Sequence, residues 1–567
     1  MDRKILSEQL SVSGQLNVAD IEALSKDSIK SIICNRPEGE SDDQTSFSEI
    51  ETAAKKWGLS IVYLPVISGQ VSDNDTKEFA LACEKLPKPI HAYCRSGMRC
   101  STLWALSAVQ KGEDKADVLA KAKQAGYDLS GLGARLSGGI AALNESQAKK
   151  TTWDILIVGA GAGGIAVASS ILARAEGKLS IAVIDPAAMH YYQPGWTLVG
   201  AGVFTADSTK KTLSSLVPAG VSLIKSAVAE FMPDKNCVSL SSGEEVAYKR
   251  LIVTPGLKLD WAAIEGLSET LGQHGVTSNY RFDLAPYTWE LVQQLKGGKA
   301  LFTQPPMPIK CAGAPQKAMY LSADYWHKSK RLSQIDIEFY NAGGALFGVK
   351  DYVPALMEYV NKYQADLKFS HNLIKVDGPA KMAWFEKTDA EGNKDVISTE
   401  FDMLHVCPPQ CAPDFIRRSA LADTSGWVDV DKHTLRHKSF DNVWSLGDVM
   451  NTPNAKTAAA VRKQAPVVAN NILSDLNQND NIAHYDGYGS CPLTVERGKV
   501  VLAEFGYGGK LLPSFPKFLL DSTKPSRAAW LLKEKLLPSI YWQAMLKGRE
   551  WMAKPEINKV NPELIKE

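Results

Sequence analysis

Residues 153–164, with the sequence WDILIVGAGAGG, constrain the fold of this chain more than any other segment. An apolar run leads directly into Gly159, Gly161 and Gly164. A second apolar run ends at Asp185, about 20 residues further on, as the dinucleotide fingerprint requires. Glycines allow a tight turn and the close approach of a pyrophosphate to a helix N-terminus, and the carboxylate accepts hydrogen bonds from a ribose. The pattern predicts a strand, a turn and a helix that bind a dinucleotide.

Two later segments indicate which dinucleotide is bound. Residues 251–256, LIVTPG, form an apolar run that closes on Gly256. A third run, VWSLGD, ends on Gly447 and Asp448, and a predicted helix follows at 457–472. In flavoproteins with two dinucleotide-binding domains, such strands return the chain to FAD, and the Asp binds the ribityl chain. One fingerprint alone would also suit NAD, but three motifs in this order indicate FAD.

The region 271–377 has the pattern of a second Rossmann-like unit but lacks a glycine-rich loop. Three prolines fill the turn after its first predicted strand, namely Pro305, Pro306 and Pro308. Proline cannot donate the N–H groups that cradle a pyrophosphate, so NAD(P)H is not expected to be the reductant. Cys311 stands where that loop would lie, which suggests that the flavin takes its electrons from sulfur.

The composition is that of an ordinary globular protein. The 567 residues suggest roughly three to four folding units, and the formal net charge of +1 gives no electrostatic reason to expect nucleic acid. The start, MDRKILSEQL, has no apolar core of the kind that a secretory signal carries, so a cytoplasmic location is expected. Nine cysteines in this length do not make a disulfide scaffold, and no group of residues predicts a metal site.

The C-terminal region has an unusual composition. Residues 528–551, AAWLLKEKLLPSIYWQAMLKGREW, interleave aromatic and aliphatic side chains with Lys and Arg. No stretch reaches the ~18 to 20 apolar residues that a membrane-spanning helix needs. Apolar faces flanked by basic side chains are typical of helices that lie in a membrane interface. The same pattern also fits helices packed on their own protein or on a second subunit, and the residues alone favour neither.

The first 150 residues predict a small α/β domain. Short apolar runs alternate with helical patterns, and a polar run leads out of the domain. The predicted strands are 31–34, 60–63 and 90–93, the predicted helices are 47–57, 76–86, 101–111, 115–125 and 129–143, and the predicted linker is 144–152.

The loop after the third predicted strand, YCRSGMRCST, carries the chemistry of this domain. A cysteine at a strand end, followed by a helix N-terminus, receives backbone N–H groups and a helix dipole that lower the pKa of its thiol. Cys94 is therefore expected to be mostly thiolate near neutral pH, and Arg95 and Arg99 add positive charge. The alternative is that Cys94 is only a buried thiol at the end of a strand. That alternative does not explain why two arginines, a glycine and a helix start occur together in this loop.

This loop resembles those of protein tyrosine phosphatases and rhodanese sulfurtransferases. Phosphatases place five residues between Cys and Arg, whereas four separate Cys94 from Arg99, as in single-domain rhodaneses. The whole region 1–143 resembles the phosphatase-like domain of beta-lactamase-hydrolase-like proteins, which accompanies sulfur-oxidation proteins. Cys100 stands where that pattern has Ser, and it could form a disulfide with Cys94 or resolve a Cys94 persulfide. No convincing general acid is evident, so sulfurtransferase and phosphatase activities both stay open.

The remainder of the chain, from Asp154 onward, resembles sulfide:quinone oxidoreductases of the animal-mitochondrial type. The motifs that carry the resemblance are HYYQPGWTLVGAG, KCAGAPQKAMYLSADYW, FGVKDYVPAL, GWVDVDKHTL, KTAAAVRKQ and YDGYGSCPL. The resemblance implies that sulfide or a persulfide adds to a cysteine pair beside the flavin, that a thiolate attacks the flavin, and that a membrane quinone collects the electrons from FAD. It also implies that the C-terminal helices attach the protein peripherally to a membrane, here expected on the cytoplasmic face.

One position departs from the pattern that we expect of this family. Its second redox cysteine is expected directly after the Gly-Asp of the last FAD strand, where this chain has Val449. Cys311 corresponds to the flavin-proximal thiol, and its partner would then be Cys407, Cys411 or the external thiol Cys94. Cys237 and Cys491 are expected to be structural. Lys456, with the helix that follows it, is expected to stabilise the reduced flavin by positive charge and dipole.

The predicted fold class is α/β: a tyrosine-phosphatase-like domain, then a two-domain Rossmann-like flavoprotein, then C-terminal amphipathic helices. The predicted boundaries are 1–148 for the first domain, 152–270 and 378–480 for the FAD domain, 271–377 for the second Rossmann-like domain and 481–567 for the membrane-interface region. The predicted function is FAD-dependent sulfide oxidation with quinone as acceptor. The alternatives are a type II NADH:quinone reductase-like enzyme, a flavin reductase with another electron donor, and a phosphatase activity of the first domain.

Overall fold

The computed structural model describes residues 1–41, 44–66, 71, 73–132 and 152–559. The chain divides into two units, Met1–Thr151 and Thr152–Glu567, and each is described by itself. The predicted helix 129–143 lies outside the described residues from residue 133 onward, and so does the linker apart from Thr152.

The first unit is built on a five-stranded sheet with the order β1-β2-β5-β3-β4. Only β1 is antiparallel to its neighbour. The strands are β1 Lys4–Ser7, β2 Leu10–Ser13, β3 Ser31–Cys34, β4 Ser60–Tyr63 and β5 Ile90–Tyr93. The three predicted strands are confirmed, whereas the β1–β2 hairpin was not predicted because its two short strands mix polar and apolar residues.

In the described part of this unit, five α-helices accompany the sheet: α1 Val18–Lys26, α2 Phe47–Lys56, α3 Asp73–Lys85, α4 Met98–Gln110 and α5 Lys115–Gln124. Capping boxes begin two of them. The Asn17 side chain accepts the Asp20 N–H at the start of α1, and Ser46 and Glu49 cap α2 in the same reciprocal way. Such boxes satisfy N–H groups that have no partner inside the helix, so local sequence defines where these helices begin.

The second unit contains two parallel sheets and several antiparallel layers. Its strands are β6 Trp153–Val158, β7 Ile181–Ile184, β8 Met189–Tyr191, β9 Lys210–Thr212, β10 Val221–Ile224, β11 Val228–Met232, β12 Cys237–Leu240, β13 Glu245–Val253, β14 Lys258–Leu259, β15 Val276–Thr277, β16 Gly298–Gln304, β17 Ile335–Asn341, β18 Asp366–Phe369, β19 His371–Asp377, β20 Met382–Thr388, β21 Lys394–Glu400, β22 Met403–His405, β23 Gln410–Cys411, β24 Val443–Ser445, β25 Asn481–His484, β26 Gly489–Glu496, β27 Lys499–Phe505 and β28 Glu556–Lys559.

Its helices connect and cover these sheets. They are α6 Ala162–Arg174, α7 Trp196–Val199, α8 Leu267–Thr270, α9 Leu284–Gln294, α10 Ala314–Lys328, α11 Val353–Tyr363, α12 Asp414–Arg417, α13 Ala458–Leu476, α14 Arg527–Leu531 and α15 Leu537–Gln543, with a π-helical turn at Leu532–Leu536 between the last two.

The first sheet of this unit runs in the order β10-β7-β6-β13-β12-β11, and β24 also pairs with β13. The strands β10, β7, β6, β13 and β24 are parallel, and their apolar side chains pack with α6 and α13 in one core. This is the dinucleotide-binding fold that the fingerprint predicts, so the predicted fold class is confirmed in this unit.

The second parallel sheet has the order β15-β22-β16-β17-β18. Because β22 pairs with β15 and β16, this sheet extends to His405, past the predicted boundary at residue 377. The β26–β27 hairpin shares a core with α10 and α11 below this sheet. The region from residue 481 onward therefore contributes to the interior of the protein.

Much of the C-terminal segment is also interior. Tyr541, Trp542, Met545 and Leu546 belong to the core of the first sheet, and Trp530 packs with residues of β27. The interpretation that these helices pack on their own protein holds for these aromatic side chains, because each is less than 9% exposed. Among the described residues, no helix combines the length and the apolar character that crossing a bilayer requires.

Candidate active site

A groove for a dinucleotide lies at the carboxyl ends of β6 and β7. Gly159 has φ of +99°, and a Cβ there would lie 2.5 Å from the Thr254 carbonyl oxygen. A Cβ on Gly164 would lie 1.9 Å from the Gly159 carbonyl oxygen. Gly161 instead faces open space, where a pyrophosphate would approach the start of α6. Asp185 accepts the Ala160 N–H at 2.7 Å and so ends β7 beside this turn.

The other end of the groove is formed by the turn after β24. Gly447 has φ of +84°, and its N–H donates to the Gln464 side chain at 2.9 Å. Burial raises the pKa of Asp448, against the opposite effects of Lys456 and Lys310. Gly256, with φ of +76°, again faces open space. The residues present fit FAD. Gly159 and Gly164 stand where backbone groups leave no room for a side chain, and Gly161 and Gly256 face open space. Each end of the groove has a carboxylate, Asp185 at one end and Asp448 at the other.

Lys456 holds the turn at this end of the groove. Its Nζ donates to the carbonyl oxygens of Asp448 and Met450, both at 2.7 Å, and lies 4.2 Å from the centre of the Trp427 ring. Burial lowers the pKa of Lys456 to about 8, although Asp448 acts to raise it. Since the ammonium is bonded to two carbonyls, the contacts of Lys456 position the segment that carries Asp448.

The most reactive arrangement of the second unit is a pair of sulfur atoms next to this groove. The Sγ atoms of Cys311 and Cys491 lie 3.4 Å apart. Lys317 Nζ lies 3.0 Å from the first sulfur and 3.7 Å from the second. A thiol pair in contact, with an ammonium on both sulfurs, can form a disulfide and can stabilise a thiolate when that disulfide opens.

Three elements bring this pair together. Cys311 follows β16 and precedes α10, and its N–H donates to the Lys456 carbonyl at 2.9 Å, which ties it to the groove. Its φ of +49° is uncommon for a residue with a side chain, and such conformations concentrate at functional sites. Cys491 lies in β26. A Cβ on Gly313 would lie 2.6 Å from Cys491 Sγ and 2.3 Å from Leu493, so glycine there lets the hairpin approach the start of α10.

The two sulfurs differ in their acidity. The hydrogen bond from the Cys491 thiol, followed by the charge of Lys317, holds the pKa of Cys311 well below its usual value, although burial opposes this. The same hydrogen bond, together with burial, raises the pKa of Cys491. Cys311 is therefore the thiolate of the pair, and Cys491 is the protonated partner.

A second lysine faces the pair from the C-terminal segment. Lys533 lies in the π-helical turn, is 5% exposed and has the charges of Lys317, Cys311 and Cys491 as neighbours. Burial, and then the charge of Lys317, lowers its pKa to about 7. Single π-helical turns frequently occur at functional sites because they redirect one side chain. Here the turn directs an ammonium inward while its neighbours Leu531 and Leu536 remain 56% and 55% exposed.

The structure places beside Cys311 a cysteine that was not among its expected partners. The position after Gly-Asp, Val449, is fully buried in the core of the first sheet. Cys407 shares a small apolar cluster with Cys311, but its sulfur interacts with Pro408, Gln410 and Tyr280, and burial raises its pKa to about 12. Cys411 lies on β23, where the charges that act on it come from Asp260, Arg417, Lys258 and Asp414. Cys491, which was predicted to be structural, is the cysteine whose sulfur contacts that of Cys311.

Sequence reasoning also missed the two lysines. Lys317 follows Cys311 by six residues within KCAGAPQK, so the local motif contained the signal. Cys491 lies in YDGYGSCPL, which carried part of the family resemblance. No signal pointed to Lys533, because its inward direction depends on the π-helical turn.

The first unit contains a separate thiolate site. Cys94 follows β5 and is fully buried, and the Gly97 N–H donates to its Sγ at 3.1 Å. Arg99 donates to Glu40 and to the Val66 carbonyl oxygen, both at 2.7 Å. Thus the loop places N–H groups around Cys94, while the Arg99 guanidinium is bonded to other protein groups.

Each of the two units matches a known protein family. Residues 2–111 match the family described as beta-lactamase hydrolase-like protein, phosphatase-like domain, and residues 153–292 match pyridine nucleotide-disulphide oxidoreductases. The mitochondrial sulfide:quinone oxidoreductase of Mus musculus is 42% identical over 399 residues, which cover 70% of this chain and 87% of that protein. The one of Dictyostelium discoideum is 40% identical over 425 residues, covering 73% and 92%.

The solved structure of the sulfide:quinone oxidoreductase from Aquifex aeolicus has the same fold. It matches with a TM-score of 0.59 at 17% identity and covers 70% of this chain and 92% of that one. The resemblances that the motifs predict are confirmed by these matches. The chain belongs to the sulfide:quinone oxidoreductase family and carries a phosphatase-like domain at its N-terminal end.

Proposed function

We propose that this protein oxidises sulfide at the Cys311–Cys491 pair and passes the electrons through FAD to a quinone. The observation that carries the proposal is the contact of two sulfurs with Lys317 at the start of α10, tied to the groove through the Lys456 carbonyl. In the sequence, Cys311 stands where a nicotinamide-binding unit would have its glycine-rich loop. The relatives' names support the same substrate and acceptor.

The acidity of the two sulfurs determines where sulfide adds. Hydrosulfide attacks one sulfur of the Cys311–Cys491 disulfide, and the other sulfur leaves as a thiolate. The thiol with the lower pKa is the better leaving group, which is Cys311 with Lys317 beside it. One S–S bond breaks and one forms, so the products are a Cys311 thiolate and a Cys491 persulfide.

The persulfide then passes its outer sulfur to a nucleophile. The nucleophile attacks the outer sulfur of the Cys491 persulfide, the S–S bond breaks, and a Cys491 thiolate leaves close to Lys317 and Lys533. The pair is now reduced by two electrons. FAD, when bound, supplies the two-electron oxidation that restores the disulfide and the route to quinone. Lys456 keeps the Asp448 turn in place, and Cys491 is buried while Cys311 is half-buried.

An anaerobic titration separates this function from a type II NADH:quinone reductase. We expect one equivalent of sulfide, in the presence of sulfite as sulfur acceptor, to bleach the visible absorbance of the bound flavin. NADH should leave that absorbance unchanged over the same time, because proline-rich backbone replaces a pyrophosphate loop. Rapid bleaching by NADH and none by sulfide would replace the proposal with the reductase.

We further propose that the protein attaches peripherally to the surface of a membrane, where a lipid-soluble quinone resides. Phe518 is 92% exposed and Leu519 is 66% exposed, and Lys517 precedes them. Exposed apolar side chains next to lysines suit the boundary between headgroups and acyl chains. The cytoplasmic side stays a prediction.

Sedimentation with liposomes that contain anionic lipid tests this attachment. We expect the double substitution Phe518→Ser and Leu519→Ser to release most of the protein into the supernatant, because two apolar anchors are lost. Val396→Ser is the matched control, since Val396 is 55% exposed in the same unit and lies on β21. Equal sedimentation of the double variant and the control would remove these residues from the proposed contact.

A further inference from the structure

Three cysteines of the first unit gather where two parallel strands end. Cys34 is the last residue of β3, Cys94 follows β5, and Cys100 lies in the first turn of α4. All three are at most 2% exposed. The Cys34 sulfur donates to the Arg36 carbonyl oxygen at 3.5 Å, whereas Cys94 and Cys100 lie in one buried cluster and interact through their thiol groups.

The Cys94 thiol has a lowered pKa, as a nucleophilic cysteine requires. The hydrogen bond from the Cys100 thiol lowers the pKa of Cys94 most, burial opposes it, and backbone N–H groups of the loop lower the pKa further, to about 5. The same burial raises the pKa of Cys100, so this thiol keeps its proton. The pair is a thiolate with a protonated thiol already in contact with it.

The surroundings of the pair do not favour a phosphate. A phosphatase loop needs an arginine that binds phosphate oxygens, but two donors of Arg99 are bonded to Glu40 and to the Val66 carbonyl. Burial alone would raise the pKa of Glu40, yet the bonds from Arg99 and Arg36 outweigh it and lower that pKa, so this carboxylate holds no proton to donate. Glu40 therefore serves the arginines and not a leaving group.

An aromatic side chain covers one side of the loop. A Cβ on Gly97, which has φ of +87°, would lie 2.0 Å from Tyr127 Oη. Tyr127 thus packs directly against the loop that surrounds Cys94. A terminal persulfide sulfur is one atom wide, whereas a phosphoryl group carries three oxygens, so the sulfur needs less room beside Tyr127.

We propose that Cys94 and Cys100 form a second sulfur site, in which Cys94 takes the outer sulfur of a small persulfide and Cys100 releases that sulfur as sulfide. In the first step the Cys94 thiolate attacks the outer sulfur of R–S–SH. The new bond joins Cys94 Sγ to that sulfur, the S–S bond of the donor breaks, and R–S⁻ leaves. The N–H groups of the loop stabilise the anionic persulfide that forms on Cys94.

In the second step Cys100 attacks the inner sulfur, which is Cys94 Sγ. The bond to the outer sulfur breaks, and that sulfur leaves with the Cys100 proton as hydrogen sulfide. The two cysteines give up two electrons in total and become a disulfide, and the transferred sulfur takes both electrons. Two molecules of a thiol R–SH then reduce the disulfide and become R–S–S–R. The sulfide released is the substrate class of the proposed flavin site.

The experiment uses full-length protein that carries Cys491→Ser, so that the flavin site does not consume the product. Free cysteine persulfide is added anaerobically, and released sulfide and peptide masses are measured. We expect one sulfide per chain and a Cys94–Cys100 disulfide in this protein. Adding Cys94→Ser should abolish both, and adding Cys100→Ser should stop the reaction with one extra sulfur on Cys94.

Cys34→Ser is the matched control, because Cys34 lies at the same sheet edge but bonds to a backbone carbonyl, and it should leave sulfide release unchanged. Should the Cys100 variant fail to fold, the disulfide in the protein with Cys100 intact still decides the question. Equal sulfide release with and without Cys94 would overturn the proposal. Hydrolysis of p-nitrophenyl phosphate that depends on Cys94, with no sulfur found on Cys94, would also overturn it and assign a phosphatase.

Discussion

Replacing Cys491 with serine is expected to abolish the reduction of the flavin by sulfide, with a loss of at least about a thousandfold, the scale seen when a nucleophile is removed. A serine side chain has no sulfur, so it cannot form with Cys311 the S–S bond that hydrosulfide opens. Stopped-flow absorbance of the flavin under anaerobic conditions measures the rate. Mass spectrometry of the oxidised parent protein should show Cys311 and Cys491 joined.

Cys411→Ser provides the matched control for this experiment. Cys411 lies in the same unit, but other charges surround it, so its loss should leave the rate within a factor of two. Flavin content and thermal unfolding should match the parent in both variants. Bleaching of the Cys491 variant at the parent rate would contradict the assignment, and a large loss in the Cys411 variant would restore Cys411, one of the three partners that the sequence left open.

Lys317→Met should give the second largest effect, together with a changed pH dependence. Leaving a buried charge without its partner costs about 3 to 5 kcal/mol. Loss of this charge raises the pKa of Cys311, because Lys317 is one of the groups that lower it. The same cost corresponds to roughly a hundredfold or more, at about 1.4 kcal/mol for each factor of ten. A thiolate exists above its pKa, so the variant should lose about a hundredfold or more in rate near neutral pH and regain it as the pH rises.

Two further variants show whether the effect of Lys317→Met comes from the lost charge. Lys317→Arg keeps a positive charge at the site and should preserve much of the rate at neutral pH. Lys387→Met removes an exposed lysine of β20 in the same unit and should change nothing. If Lys317→Met shows the parent pH profile at a lower rate, Lys317 acts through packing and not through the Cys311 thiolate.

Part of the chemistry of the second unit was predictable because some of its functional residues lie in short sequence motifs. The turn with Gly159 and Gly164 and the carboxylate of Asp185 follow rules of spacing within one strand, turn and helix. Cys311 was recognised for the same reason, as a thiol at the start of a helix without a phosphate loop. Lys317 lay in the same motif, but its contact with sulfur required the direction of its side chain from α10.

The partner of Cys311 was not predictable in this way. Cys491 stands 180 residues further along the chain, and only the packing of the β26–β27 hairpin against α10 brings its sulfur to 3.4 Å. Gly313 permits that approach, a fact that is visible only when the hairpin is in place. The C-terminal aromatic residues left two interpretations open, a membrane interface and packing on protein, and the structure places Tyr541 and Trp542 in the core beside α6.

The sequence by itself determined the α/β class, the FAD fingerprint and the reactive positions of Cys94 and Cys311, because these depend on patterns within a few residues of each other. The tertiary structure decided which thiol meets Cys311, that Lys533 faces the pair and which apolar residues stay exposed. Those outcomes depend on contacts between segments that are far apart in the chain. The local pattern of apolar and polar residues does not reveal which distant segments pack together or how favourable that packing is.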